Sequence, residues 1–234
     1  MDNFTFVDIQ SQRLTRDKDP NICPICHHKI NPEEQAWTLT NWYCSDPILE
    51  RVFQCPNKEC GHLFIARYLI AEIENEGNTS NLHPTSTKMF VLKDLFPKSP
   101  KPEQFPEEIK NISPMFILIY NQAIEAESHE LIQISGMGYR KALEFLIKDY
   151  CIKMYPEHDN KIKVMFLSNC IADFVDDERI KQCAKRAVWL GNDETHYLRK
   201  WQDKDINDLK ILTKLTVNWI ENILLTNKYS EGMQ

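Results

Sequence analysis

The first part of the chain, up to about Phe96, contains short runs of apolar residues with strand-like spacing. Three of these runs, residues 35–44, 61–73 and 88–95, are rich in aromatic and β-branched side chains. Period alone does not separate such short runs from helix, but this composition favours strands. Residues 1–96 are therefore predicted to form a small β module.

A proline-rich segment follows, with four prolines among residues 97–106. Proline fixes φ and removes a backbone donor, so such a segment cannot be the interior of a helix or strand. It is predicted to be a linker and the boundary between two domains.

Beyond the linker the apolar spacing changes to the helical period. The clearest example is residues 139–150, whose apolar residues form a stripe on one helix face: Tyr139, Ala142, Leu143, Leu146, Ile147 and Tyr150. We predict about five helices in an antiparallel bundle over residues 107–228, including one helix over 162–175. The predicted fold class is α+β.

Capping residues set the predicted ends of these helices. Ser113 before Pro114 is a predicted N-cap, and Asp177 and Asp205 stand at the start of later helices. Gly191 is predicted to be the left-handed residue that ends a helix.

Composition and charge narrow the class of protein. The chain has 234 residues, ordinary hydrophobic content and a net charge of −6. A whole-domain basic footprint for nucleic acid is therefore absent. The N-terminus lacks the signature of a signal peptide, and no apolar run reaches the ~20 residues of a membrane span. We expect a cytoplasmic protein without a membrane partner.

Four of the eight cysteines form two closely spaced pairs. Cys23 and Cys26 are separated by two residues, and Cys55 and Cys60 by four. Such pairs present two thiolates from one turn, and two turns complete the tetrahedral site of a structural Zn²⁺, as in a zinc ribbon. Replacement of one ligand by Cys44, His62, His27 or His28, or an unliganded set of core cysteines, stays open at this stage.

A four-thiolate site leaves no position for a substrate, so its predicted role is to stabilise the module. Basic residues near it (Lys29, Arg51, Lys58 and Arg67) alternate with acidic ones (Glu33, Glu34, Glu50 and Glu59). This mixture is typical of a solvated surface. It favours a protein partner over nucleic acid.

Two further groups lie in the helical region. Arg140 and Glu144 are four residues apart, the spacing of a helical ion pair. Asn192 follows Gly191, and His196 comes four residues after Asn192. Asn192 and His196 are read first as structural hydrogen-bonding residues, and secondly as groups that bind phosphate or move a proton.

These motifs, in this order, resemble the domain of unknown function 4145. The resemblance covers roughly residues 95–225 and rests on the segments Leu-Phe-Pro at 95–97, Phe-Pro-Glu-Glu-Ile at 105–109, Tyr-Asn-Gln-Ala at 120–123, Tyr-Arg-Lys-Ala-Leu-Glu at 139–144, and Gly191, Asn192 and His196. It implies a helical part similar to HEPN bundles, many of which are dimeric ribonucleases, and a setting in bacterial restriction or anti-phage defence.

In the motif of those ribonucleases four to six residues separate an arginine from the histidine that follows it, and this chain departs from that spacing. Arg186 is ten residues before His196, and Arg199 follows it. We therefore expect a non-catalytic binding or accessory protein that contacts a protein partner or itself. The alternative is a ribonuclease that uses His196 and Asn192 with Arg186 or Arg199. A metal-dependent hydrolase is a weaker third hypothesis, since the cysteine pairs are the chain's one recognisable ligand set.

Overall fold

The computed structural model describes residues 6–9, 12–41, 46–74, 86–193 and 204–232. The fold is α+β, with the strands in the N-terminal part and the helices in the C-terminal part. The chain divides into two compact units, Met1–Lys101 and Pro102–Gln234. The division falls within the proline-rich segment 97–106.

The first unit is a six-stranded sheet with the strand order β1-β2-β6-β5-β4-β3. Neighbouring strands are antiparallel except for β2 and β6, which are parallel. The strands are β1 (Phe6–Ile9), β2 (Gln12–Arg16), β3 (Glu33–Thr40), β4 (Ile48–Gln54), β5 (Leu63–Glu74) and β6 (Ser86–Phe96).

The three predicted strands correspond to β3, β5 and β6, whereas β1, β2 and β4 were not predicted. In β4 the residues alternate in burial, and Leu49, Arg51 and Phe53 point inward. The alternation is difficult to recognise in the sequence because Arg51, a charged residue, occupies one of the inward positions. The same face of β5 contributes Phe64, Ala66 and Tyr68 to the core.

The described residues of the second unit form seven α-helices and one 3₁₀ turn, more than the five or so predicted. They are α1 (Glu107–Ile112), α2 (Pro114–Ser128), α3 (Ile132–Met154), the turn Pro156–His158, α4 (Asp159–Val164), α5 (Leu167–Phe174), α6 (Glu178–Asp193) and α7 (Ile206–Gly232). The helix predicted over 162–175 is two helices, because the backbone is extended at Met165 and Phe166.

Helix α3 lies at the centre of this unit and packs against α1, α2, α4, α5, α6 and α7. The predicted stripe on residues 139–150 is its buried face. Gly138 allows α2 to approach closely, because a Cβ there would lie 2.8 Å from the Cβ of Ala123. None of the described helices is both long and apolar enough to cross a membrane.

Two of the predicted helix starts have side-chain caps. The Asp177 carboxylate accepts from the backbone N–H of Ile180 (3.1 Å), and Asp205 accepts from Asn207 and Asp208. Ser113 does not cap α2, so this prediction was wrong. Its buried hydroxyl donates to the carboxylate of Asp149 on α3 instead.

The prediction that Gly191 is a left-handed C-terminal residue was also wrong, because α6 continues through it to Asp193. A left-handed residue is found instead at Glu130, which follows α2 and has φ of 61°. There the N–H groups of Glu130 and Leu131 donate to Glu127 and Ala126, in the pattern of a Schellman motif.

Candidate metal centre

Each predicted cysteine pair lies on a tight backbone turn of the first unit. In the first turn, the N–H of Cys23 donates to the carbonyl of His28 (3.1 Å), and the N–H of His27 donates back to Cys23 (3.0 Å). In the second turn, between β4 and β5, the N–H of Cys55 donates to the carbonyl of His62 (3.0 Å). Both turns therefore hold their first cysteine by the same kind of bond.

A left-handed residue follows the second cysteine of each turn. His27 has φ of 59° and Gly61 has φ of 60°. Glycine adopts this conformation without strain, whereas histidine does so at some cost. The reversal of the chain at these residues turns both cysteines of a pair toward the same point.

The two turns bring all four sulfur atoms together. The Sγ atoms of Cys23, Cys26, Cys55 and Cys60 all lie within 4.8 Å of one another. One sulfur of each turn approaches one of the other, at 3.9 Å for Cys23 and Cys60 and 3.7 Å for Cys26 and Cys55. Within the described residues, this is the one group with the proximity that a metal ion requires.

These distances match a tetrahedral zinc site. Zinc–thiolate bonds of about 2.3 Å in a tetrahedron place the sulfur atoms about 3.8 Å apart. A disulfide would require about 2.05 Å. The sulfurs are therefore spaced as ligands of one ion, and all four cysteines are free thiols.

The surroundings of the sulfurs give them unequal acidity. A hydrogen bond from the backbone of His28 lowers the pKa of Cys26 to about 6. Burial raises the pKa of Cys55 to about 12. Four deprotonated sulfurs at this spacing would need a cation to balance their charge, and a divalent metal would supply it.

Neighbouring groups support the sulfurs without joining the set. The backbone N–H of Ile25 points at Cys23 Sγ (3.4 Å), and Nδ1 of His62 lies 3.5 Å from Cys60 Sγ. Asn57 bridges the turns, since its side chain lies 3.4 Å from Nδ1 of His28. Of the alternative ligands, His27, His28 and His62 are outside the group of four, and Cys44 lies outside the described residues.

A charged cluster near the centre was not predicted. Arg51 is 3% exposed and forms ion pairs with Asp19 and Glu34, while its guanidinium lies 4.7 Å from the ring centre of Phe53. Burial lowers the pKa of Arg51, but the two carboxylates outweigh this effect and raise it. The expectation that Arg51 belongs to a solvated surface was wrong. The sequence feature that could have indicated burial is the alternation of Leu49, Arg51 and Phe53, which places Arg51 on the same face of the strand as two apolar residues.

In the helical unit, Arg140 and Glu144 form an ion pair (3.1 Å) that Lys148 extends at 2.8 Å. The aliphatic part of Arg140 also packs on Gly191 of α6. A Cβ at position 191 would lie 2.5 Å from Cδ of Arg140. Glycine at 191 therefore lets α6 approach α3.

The side chains of most of the candidate catalytic residues lie outside the described part of the chain. Arg186 lies on the exposed side of α6 and donates to Gln182 (3.3 Å). The backbone of Asn192 belongs to the last turn of α6, and its side chain is outside the description. His196 and Arg199 lie outside the described residues.

No family model matches the chain, and comparisons with curated proteins and with solved structures also find no match. The resemblance to the domain of unknown function 4145 therefore stays a prediction. The function has to be argued from the geometry above.

Proposed function

We propose that this protein is a zinc-stabilised binding module without catalytic activity of its own. Cys23, Cys26, Cys55 and Cys60 hold one Zn²⁺, which gives the N-terminal unit its fold, in the manner of a zinc ribbon. The chain then contacts a protein partner or a second copy of itself. The setting suggested by the resemblance is bacterial restriction or anti-phage defence.

The observation that supports this proposal most directly is the spacing of the four sulfurs, at 3.7 and 3.9 Å across the two turns. Thiolate ligands select soft or borderline metals, and a four-sulfur tetrahedral set favours zinc or iron. Four protein ligands fill the coordination sphere of zinc, so no position is left for a water or substrate. Such a site stabilises a fold and does not act as a Lewis acid.

The helical unit supports a non-catalytic role in a second way. The described residues that carry the resemblance have structural partners. Tyr139 donates to Glu127 (2.6 Å), Arg140 pairs with Glu144, and Gly191 packs on Arg140. These contacts stabilise helix packing. They give these three residues of the motif a structural role, which supports the proposal.

The proposal is tested by metal analysis of the purified protein and of single-cysteine variants. We expect one zinc per chain in the wild type and loss of stoichiometric zinc in Cys23→Ser. Cys183→Ser is the matched control, because Cys183 lies on α6 of the other unit and should not affect the metal. Cys44→Ser and His62→Ala should also keep their zinc.

Replacement of zinc by Co²⁺ provides an independent readout, since its visible absorption distinguishes four sulfur ligands from three sulfurs and one nitrogen. Unchanged zinc content in Cys23→Ser would contradict the assignment. If His62→Ala or Cys44→Ser lost zinc while the serine variant of one proposed cysteine ligand kept it, His62 or Cys44 would take the place of that cysteine in the ligand set.

Catalysis is tested separately with a mixed RNA pool. We expect no cleavage by the folded, zinc-loaded wild type. Cleavage that disappears in His196→Ala and persists in Cys183→Ser would overturn the non-catalytic proposal and favour the ribonuclease alternative.

A further inference from the structure

Strand β3 lies at one edge of the six-stranded sheet, and its described neighbour is β4 alone. Residues 33–38 are all exposed, although the Glu34 carboxylate pairs with Arg51 of β4. An edge strand presents a row of backbone N–H and C=O groups that can pair with another strand. A partner that pairs with these backbone groups must therefore have an extended backbone.

The two halves of β3 differ in how they resist such pairing. The first half contains Glu33 and Glu34, and the register shifts between Glu34 and Ala36, which makes Gln35 a bulge. Charges and bulges are the features by which proteins block exposed edges. The second half, Ala-Trp-Thr-Leu-Thr at 36–40, has no charge, no proline and no bulge.

The unprotected half is complementary to itself. Antiparallel pairing about Thr38 would place Trp37 of one chain opposite Leu39 of the other, and Leu39 opposite Trp37. Both residues lie on the face that carries Leu49 and Phe53, and Trp37 is 49% exposed. Aromatic pairs with aliphatic residues and Thr–Thr pairs stabilise antiparallel strands.

Charge also selects the orientation. Parallel self-pairing in register would place Glu33 and Glu34 opposite the same residues of the second chain, and like charges opposite each other are destabilising. Antiparallel pairing about Thr38 leaves both carboxylates beyond the paired segment. A closed two-fold arrangement is also the commonest symmetry of protein dimers.

We propose that a second copy of this chain binds at the β3 edge, with residues 36–40 of the two copies paired antiparallel about Thr38. The inference rests on the proposed function in one respect, because the N-terminal unit must hold its zinc to present this edge. It names the partner of that unit as the protein itself.

The test is the oligomeric state of the zinc-loaded full chain, measured by sedimentation velocity over a dilution series. In Thr38→Lys two ammonium groups would face each other across the two-fold axis, and we expect the dimer dissociation constant to rise about tenfold or more. The fold should tolerate the change, because Thr38 is exposed and lies opposite Glu50. Gln35→Lys is the matched control, with the same added charge on the bulge, and should dimerise as the wild type does.

A cross-link gives a second readout. Residues opposite each other in antiparallel strands have Cα atoms about 4.5–5.5 Å apart, within the range of a disulfide. Thr38→Cys should therefore form a covalent dimer under mild oxidation, and Gln35→Cys should not.

A zinc-loaded protein that stays monomeric at every concentration would overturn the interface and leave the proposed zinc site intact. A dimer that Thr38→Lys does not weaken would overturn it as well, since the contact would then lie elsewhere. A chain purified without zinc would instead refute the proposed function.

Discussion

The two units of this chain are stabilised by different means. The core of the N-terminal unit contains eight buried residues among those described, and two of them are the cysteines Cys23 and Cys55. The core of the helical unit contains twenty-five buried residues, counted likewise over the described part of the chain. A small apolar core rarely stabilises a domain alone, and metal ligation supplies what burial does not. In the proposed zinc-bound protein, the metal and the buried ion pairs of Arg51 stabilise the first unit, whereas side-chain packing stabilises the second.

Removal of the metal should have the largest effect, and it should affect the stability of only the N-terminal unit. Chelation of zinc should unfold the sheet and leave the helices folded, because apparent zinc-binding energies of about 10–16 kcal/mol in small zinc domains are as large as the whole stability of a typical domain. Hydrogen exchange would report this as loss of amide protection in β4 and β5 with protection retained in α3. Equal protection in the sheet with and without chelator would show that the sheet does not need the metal.

The next effect tests charge in the N-terminal unit. Arg51→Met should destabilise the sheet by about 2 kcal/mol, because Glu34 loses its ion pair with Arg51 and Asp19 keeps only the one with Arg16. The two carboxylates are partly exposed, which keeps the effect below that of a fully buried pair.

Arg67→Met is the control for this variant. Arg67 pairs with Glu50 at 2.8 Å, but its side chain is 39% exposed, so the loss should be about 0.5 kcal/mol or less. Chemical denaturation of the zinc-loaded protein measures both changes. Equal losses in the two variants would mean that the burial of Arg51 has no energetic consequence.

Packing in the helical unit is tested at Gly191. Gly191→Val should destabilise the bundle by about 2 kcal/mol, because the new side chain overlaps the stem of Arg140 and forces α6 away from α3. Thermal unfolding followed by helical circular dichroism measures the change. The double variant with Arg140→Ala should recover part of the loss, and strict additivity of the two changes would contradict the contact.

The sequence predicted those features that depend on nearby residues. The spacing of the cysteine pairs located the candidate centre, and the stripe on residues 139–150 located the buried face of α3. The missed features depend on partners far along the chain. Arg51 is buried because Asp19 and Glu34 converge on it, and Gly191 is required because Arg140 lies against it. Local patterns do not contain such pairings.

The smallest expected effect concerns the charge of Asp149 and its contribution to the stability of the helical unit. Burial raises the pKa of Asp149, so the fold favours the protonated carboxyl and loses stability as the pH rises above the ordinary range of an aspartate. Asp149→Asn removes this charge and still accepts the hydrogen bond from Ser113. The variant should therefore be slightly more stable than the wild type at neutral pH.

Urea denaturation at neutral and acidic pH measures this difference, with the exposed Asp173→Asn on α5 as the control. The advantage of Asp149→Asn should shrink as the pH falls through the ordinary aspartate range, because the wild-type carboxyl becomes protonated in both the folded and unfolded states. A loss of stability at neutral pH would show that the Asp149 charge stabilises the bundle. Charge would then hold both units, and the contrast between them would rest on the metal alone.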